Sequence, residues 1–147
     1  MTEERVWNPK RIKLPPRGGI AVEFGLILPI LLVILLGIVE TGLALYDRTL
    51  MVHASREAAR AGVLLRTERL TEEEISSLAL GQLSGRLVSF GALSEPVVTV
   101  IRPADPATFD TLSVAIAYQF VGLGLARLLS AATGPIVLRA TTEMSYE

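Results

Sequence analysis

Residues 17–40 read Arg-Gly-Gly-Ile-Ala-Val-Glu-Phe-Gly-Leu-Ile-Leu-Pro-Ile-Leu-Leu-Val-Ile-Leu-Leu-Gly-Ile-Val-Glu. Sixteen consecutive positions, 24–39, carry no charge. With residues 19–22 before the run and 41–46 after it, the stretch exceeds the roughly 20 residues that cross a bilayer. One membrane helix over 19–46 is the reading that follows. Pro29 and the glycines at 25, 37 and 42 would weaken a helix in water, but both residue types are commoner in membrane helices. Glu23 stands immediately before the uncharged run. A carboxylate at the edge of a bilayer is unfavourable unless it serves a purpose, which makes Glu23 the first candidate functional residue.

The flanks set the orientation. Arg5, Lys10, Arg11, Lys13 and Arg17 precede the run against Glu3 and Glu4, whereas Glu40, Asp47 and Arg48 follow it. This bias places the N-terminus in the cytoplasm and the remainder outside. A cleaved secretory signal is the competing reading, because Gly42, Leu43 and Ala44 offer small residues to a signal peptidase. Its apolar core would then sit at the long end of the roughly 7–15 residues usual for signals, and Glu40 would interrupt the approach to the cut.

The 147 residues leave room for one modest domain beyond the membrane, large enough for a small core. No cysteine is present, so the chain forms neither disulfides nor thiolate metal sites. Residues 1–18 hold five basic and two acidic groups, and without them the net charge changes from −1 to −4. A mildly acidic remainder makes nucleic acid an unsuitable partner.

Residues 1–17 include Pro9, Pro15 and Pro16 and read as a flexible tail. Beyond the span, Leu43, Tyr46, Leu50, Ala54, Ala58, Ala61 and Leu65 recur at spacings of three and four, with Arg48, Arg56, Glu57 and Arg60 off that line. The membrane helix therefore continues outward as an amphipathic one, and residues 19–66 would form a rod on the order of 70 Å. Thr71-Glu72-Glu73-Glu74 supplies a capping box for a second helix, expected over residues 72–89. Ile75, Leu78, Ala79, Gln82 and Leu83 form its inner side, Gly81 and Gly85 weaken it, and Phe90-Gly91 marks its end.

From Pro96 onward the period changes to two. Val97, Thr99 and Ile101 interleave with Val98, Val100 and Arg102, and Pro103-Ala104-Asp105-Pro106 then forces a loop. Leu112, Val114, Ile116, Tyr118 and Phe120 alternate with Thr111, Ser113, Ala115, Ala117 and Gln119. Ile136, Leu138, Ala140, Thr142, Met144 and Tyr146 do the same against Val137, Arg139, Thr141, Glu143 and Ser145. The fold class is α+β: a long N-terminal helix, a second helix, and a small antiparallel sheet of about three strands packed on the spine. Residues 122–134 are expected to be an apolar loop, either folded under the sheet or exposing Leu123, Leu125, Leu128 and Leu129 to a partner or membrane surface.

Catalytic patterns are sparse. His53 is the one histidine and has no thiol or second imidazole for a metal site. Ser55 and Ser130 have no evident base, and Gly122-Leu123-Gly124 lacks the third glycine of a phosphate loop. Glu72, Glu73 and Glu74 suit helix capping better than calcium binding. The expectation is a non-enzyme with no cofactor and no metal.

Gly18-Gly19-Ile20-Ala21-Val22-Glu23-Phe24, a span with Pro29, and then Ala54-Ser55-Arg56-Glu57-Ala58-Ala59-Arg60-Ala61 together resemble the TadE-like minor pilins, or pseudopilins, of the tight-adherence (Tad, Flp) pilus system. Residues 114–118 and 138–144 also resemble that family's later strands. The resemblance implies that a prepilin peptidase cuts after Gly18, making Gly19 the first residue and Glu23 the fifth, with Phe24 next. A glycine before the cut leaves the backbone unobstructed. The new ammonium at Gly19 would neutralise a carboxylate, its own Glu23 or a neighbour's, at the membrane edge.

Ala54, Arg56, Glu57, Ala58 and Arg60 form the family's signature helix; Glu57 and Arg60 are also spaced to pair on one helix face. The implied partners are the peptidase, other minor pilins and the major pilin of the system, the inner-membrane assembly platform, and the lipid bilayer. The implied location is the bacterial inner membrane, with residues 1–18 as a cleaved cytoplasmic leader and 47–147 as an extracytoplasmic head. A signal-anchored or secreted envelope protein that binds a ligand through its α+β head is the alternative from another class.

Overall fold

Helix α1, Arg17–Val63, is continuous through both the uncharged run and the amphipathic stretch. The structure, a computed structural model, describes residues 17–64, 69–91, 94–103 and 110–146. Residues 1–16 of the expected leader, Leu65 with Arg66, and the loop at Ala104, Asp105 and Pro106 lie outside the described residues, whereas Arg17 and Gly18 begin α1. The chain divides into two units, Met1–Val33 and Ile34–Glu147. In the first, the described part is the start of α1, and its side chains from Ile20 onward are exposed. The helix from Gly19 is long and apolar enough to cross a membrane.

The second unit contains the rest of α1, α2 (Glu72–Leu83), β1 (Val97–Ile101), β2 (Thr111–Phe120), α3 (Leu125–Thr133) and β3 (Ile136–Ser145). The three strands pair in chain order, β1-β2-β3, both pairs antiparallel. In the register, Val114 lies between Val100 and Thr142, and Ile116 between Val98 and Ala140. Because side chains alternate along a strand, Leu112, Val114, Ile116, Tyr118 and Phe120 all enter the core while the opposite face stays wet. Met51, Ala54, Ala58 and Ala59 of α1 and Ile75, Ala79 and Leu83 of α2 complete that core. The α+β arrangement expected from the two periodicities is the one observed.

Helix α2 starts as its sequence dictates. Glu74 N donates to Thr71 Oγ1 at 3.2 Å, and Thr71 N donates to Glu74 Oε2 at 2.8 Å, closing the capping box. It ends earlier than expected, at Leu83 rather than 89, with Gln82 exposed. The reason lies in Gly85, whose φ of +69° is left-handed and incompatible with continuing the helix.

Two further expectations require correction. Residues 122–134 do not form a simple loop: nine of them form α3, closed by Gly134 at φ +93°. Along α1, the inner line does not run through Tyr46, which is exposed; Asp47 is the residue turned inward.

Candidate functional site

The residues singled out at the N-terminal end of α1 sit together in its first two turns. Gly18 and Gly19 belong to the opening turn, and Glu23 and Phe24 follow on the exposed helix. Nothing lies within 4 Å of where a Cβ on Gly19 would be. Glu23 forms no ion pair among the described residues and stands amid exposed Ile20, Val22, Phe24 and Ile27. A lone acid on such a surface is either at a headgroup boundary or awaits a cation from elsewhere.

The second group, 54–61, divides by burial. Ala54, Ser55, Ala58, Ala59 and Ala61 are buried, whereas Arg56, Glu57 and Arg60 are exposed. The small residues leave room for side chains of α2 and the sheet to pack against α1. A Cβ on Gly62 would come within 2.5 Å of Leu112 Cδ2 and 2.9 Å of Ile75 Cδ1, so α1, α2 and β2 converge there. Ser55 Oγ and Thr142 Oγ1 share a hydrogen bond of 2.7 Å that ties α1 to β3. The alanines and Ser55 thus belong to the head's packing, while Arg56, Glu57 and Arg60 are directed to solvent. Glu57 and Arg60 do not pair; among the described residues the ion pair is Arg102 Nε to Glu72 Oε1 at 3.4 Å. His53 is exposed beside Glu57, Gln82 and Arg86, which line one hollow of about 290 Å³.

Sequence reasoning missed two acids on the inner side of α1. Glu40 is buried, and its carboxylate accepts from both Gly124 N and, at 2.6 Å, Ala126 N. These are donors at the start of α3, whose N-cap, Gly124, has no side chain to satisfy them. A carboxylate from α1 therefore performs the capping across the fold, with charge-assisted hydrogen bonds aligned to the helix dipole. The fit is close: a Cβ on Gly122 would meet Ala126 Cβ at 2.4 Å and Glu40 Cδ at 3.2 Å.

Seven residues on, Asp47 is buried and its Oδ1 accepts from Val88 N at 3.0 Å. Burial pushes the Asp47 carboxyl above its ordinary value, the Val88 hydrogen bond opposing. Its Oδ2 is buried without a hydrogen-bond partner. Together Glu40 and Asp47 hold the start of α3 and the segment at Val88 to α1. An acid directly after an apolar run and a Gly-Leu-Gly without a capping side chain were the available signals, but nothing local connects residues 84 apart.

The model of one protein family, the TadE-like proteins, matches residues 18–60. The matched segment runs from Gly18 through Glu23, Glu40 and Asp47 to Arg60, and so contains every residue predicted for processing, assembly or signature. Among curated proteins and among solved structures, nothing matches.

Proposed function

We propose that this chain, TadE-like over residues 18–60 and so a component associated with a Tad-type pilus, is a minor pilin or pseudopilin that a prepilin peptidase processes after Gly18. The observation that supports it most is Glu23, exposed and without an ion pair among the described residues, on an apolar helix four residues after Gly19, inside the matched segment. Cutting there creates an ammonium at Gly19 and leaves the carboxylate one helical turn away, where it neutralises that charge or a neighbouring subunit's. The helix from Gly19 anchors the protein in the inner membrane, and the head stands outside. Arg56, Glu57 and Arg60, exposed beside a packed alanine face, are the surface offered to sibling pilins or the assembly platform. The protein acts in pilus biogenesis and adhesion through these surfaces, without turnover of a substrate.

Mass spectrometry of the membrane-purified chain tests the reading. A mature N-terminus at Gly19 supports it, and one near Leu45 overturns it in favour of a secreted envelope protein. Glu23→Ala should impair processing or assembly while leaving the head folded, since Glu23 is not one of the residues that form the head's core. Full pilus assembly by that variant would also contradict the proposal.

A further inference from the structure

Helix α3 turns an apolar stripe outward. Leu125, Leu128, Leu129 and Ala132 follow the i, i+3, i+4, i+7 spacing of one helix face, and all four are exposed, Leu128 at 72%. Only Ala126 of this helix is buried. A nine-residue helix that spends its leucines on solvent gains little for the fold, and an exposed apolar patch beside other apolar surface marks an interaction site.

Its place along α1 identifies the occupant. Leu125 Cδ2 lies 3.2 Å from where a Cβ on Gly37 would be, Leu36 Cδ1 lies 3.6 Å from the same point on Gly124, and Glu40 caps the helix start. Within the expected membrane helix 19–46, the 21 residues 19–39 before the first acid, Glu40, already match the roughly 20 that cross a hydrocarbon core of about 30 Å, which would put residues 36–40 where hydrocarbon gives way to headgroups. Leu35, Leu36, Ile38 and Val39 are themselves exposed there, and the leucines of α3 extend that apolar surface sideways from α1.

The polar groups of α3 agree with lipid. Ser130 Oγ donates to Arg127 O at 2.9 Å and Thr133 Oγ1 to Leu129 O at 2.8 Å, so both hydroxyls are satisfied within the helix. Arg127, the one charged side chain of α3, is exposed and basic, suited to anionic headgroups.

We infer that α3 is an interfacial helix, lying in the outer surface of the bilayer with Leu125, Leu128 and Leu129 among the acyl chains and Arg127 at the headgroups, while Glu40 clamps it to the end of the span. The inference rests on the anchoring part of the proposed function. The head would then be held to the membrane at two places, by α1 and by α3.

The natural absence of cysteine allows a direct test on the full chain. Leu128→Cys, Leu31→Cys and Glu73→Cys each receive an environment-sensitive fluorophore, and the proteins are placed in phosphatidylcholine–phosphatidylglycerol vesicles with brominated acyl chains. All three side chains are exposed, so labelling disturbs no packing. The expected result is a blue shift and bromine quenching at 128 and 31, with neither at 73. Quenching at 31 with a water-like signal at 128 overturns the inference and leaves the anchor standing. A blue shift at 128 without bromine quenching overturns it as well, since protein rather than lipid then covers the stripe. A water-like signal at 31 removes the anchor and the inference with it.

Discussion

Replacing Glu40 by Ala should release α3 from the head. The Glu40 carboxylate is 4% exposed and accepts from two backbone amides that have no other partner at the helix start. A hydrogen bond to a charged group is worth about 1.5–3 kcal/mol, and a lost N-cap about 0.5–2 kcal/mol. Both bonds come from one carboxylate, so they do not add in full, and relief of its burial returns part of the loss. The expected net effect is about 2–3 kcal/mol. For a head of about 100 residues that lowers the thermal midpoint by about 10–20 °C if α3 unfolds with the rest.

If α3 frays alone, the loss appears locally, so the decisive assay is amide hydrogen exchange in micelles across residues 122–133. Glu40→Ala should strip protection from the Gly124 and Ala126 amides. Glu40→Gln, which keeps an acceptor and loses the charge, should recover about half. Unchanged protection and an unchanged midpoint in Glu40→Ala would refute the capping account and leave Leu125 on Gly37 as what holds α3.

Two further predictions concern the same unit. Asp47 has a folded-state pKa above its ordinary value of 3.8, so the folded state holds that proton more tightly. Its stabilising contribution is complete below the ordinary carboxylate range and disappears as the pH rises through the raised value. Asp47→Asn, still able to accept from Val88 N, should flatten the stability profile between that range and neutrality; a profile identical to the wild type contradicts this. The glycines of the two head helices should respond with opposite signs. Gly62→Ala crowds Leu112 and Ile75 and should destabilise by about 1 kcal/mol after its gain in helix propensity, whereas Gly81→Ala meets open space and should stabilise by about 0.5–1 kcal/mol, both read by chemical denaturation.

The parts of the fold legible in the sequence were those whose signal is local and periodic. The alternation at 112–120 and 136–146 announced two strands with their buried faces, and Thr71 with Glu74 announced a helix start that closes as expected. What escaped depends on distant partners. Helix α3 was obscured because its stripe follows a strand within one apolar stretch whose single charge is Arg127, and its capping group lies on α1. Tyr46 and Asp47 exchanged places because a hydropathy pattern assigns the tyrosine inward, while the Val88 amide needs an acceptor that only the aspartate offers. Of the candidate site, the alanines and arginines at 54–60 were visible as a pattern, but only the packed head separates those that bury from those that face outward. Gly18, Gly19 and Glu23 stood out because they lie next to a charge-free run, and the structure gives their place on α1.

The hydrogen bond between Ser55 and Thr142 spans 87 positions of the chain. During synthesis the first of these residues emerges long before the second. Through that interval the alanine face of α1 has no sheet to cover it, because β2 and β3 are still to be made. The head therefore cannot complete its core until β3 has been translated. Truncation ahead of Thr142 would remove the partner of Ser55 and uncover part of the small-residue face of α1, and such a chain should be degraded faster than the intact one.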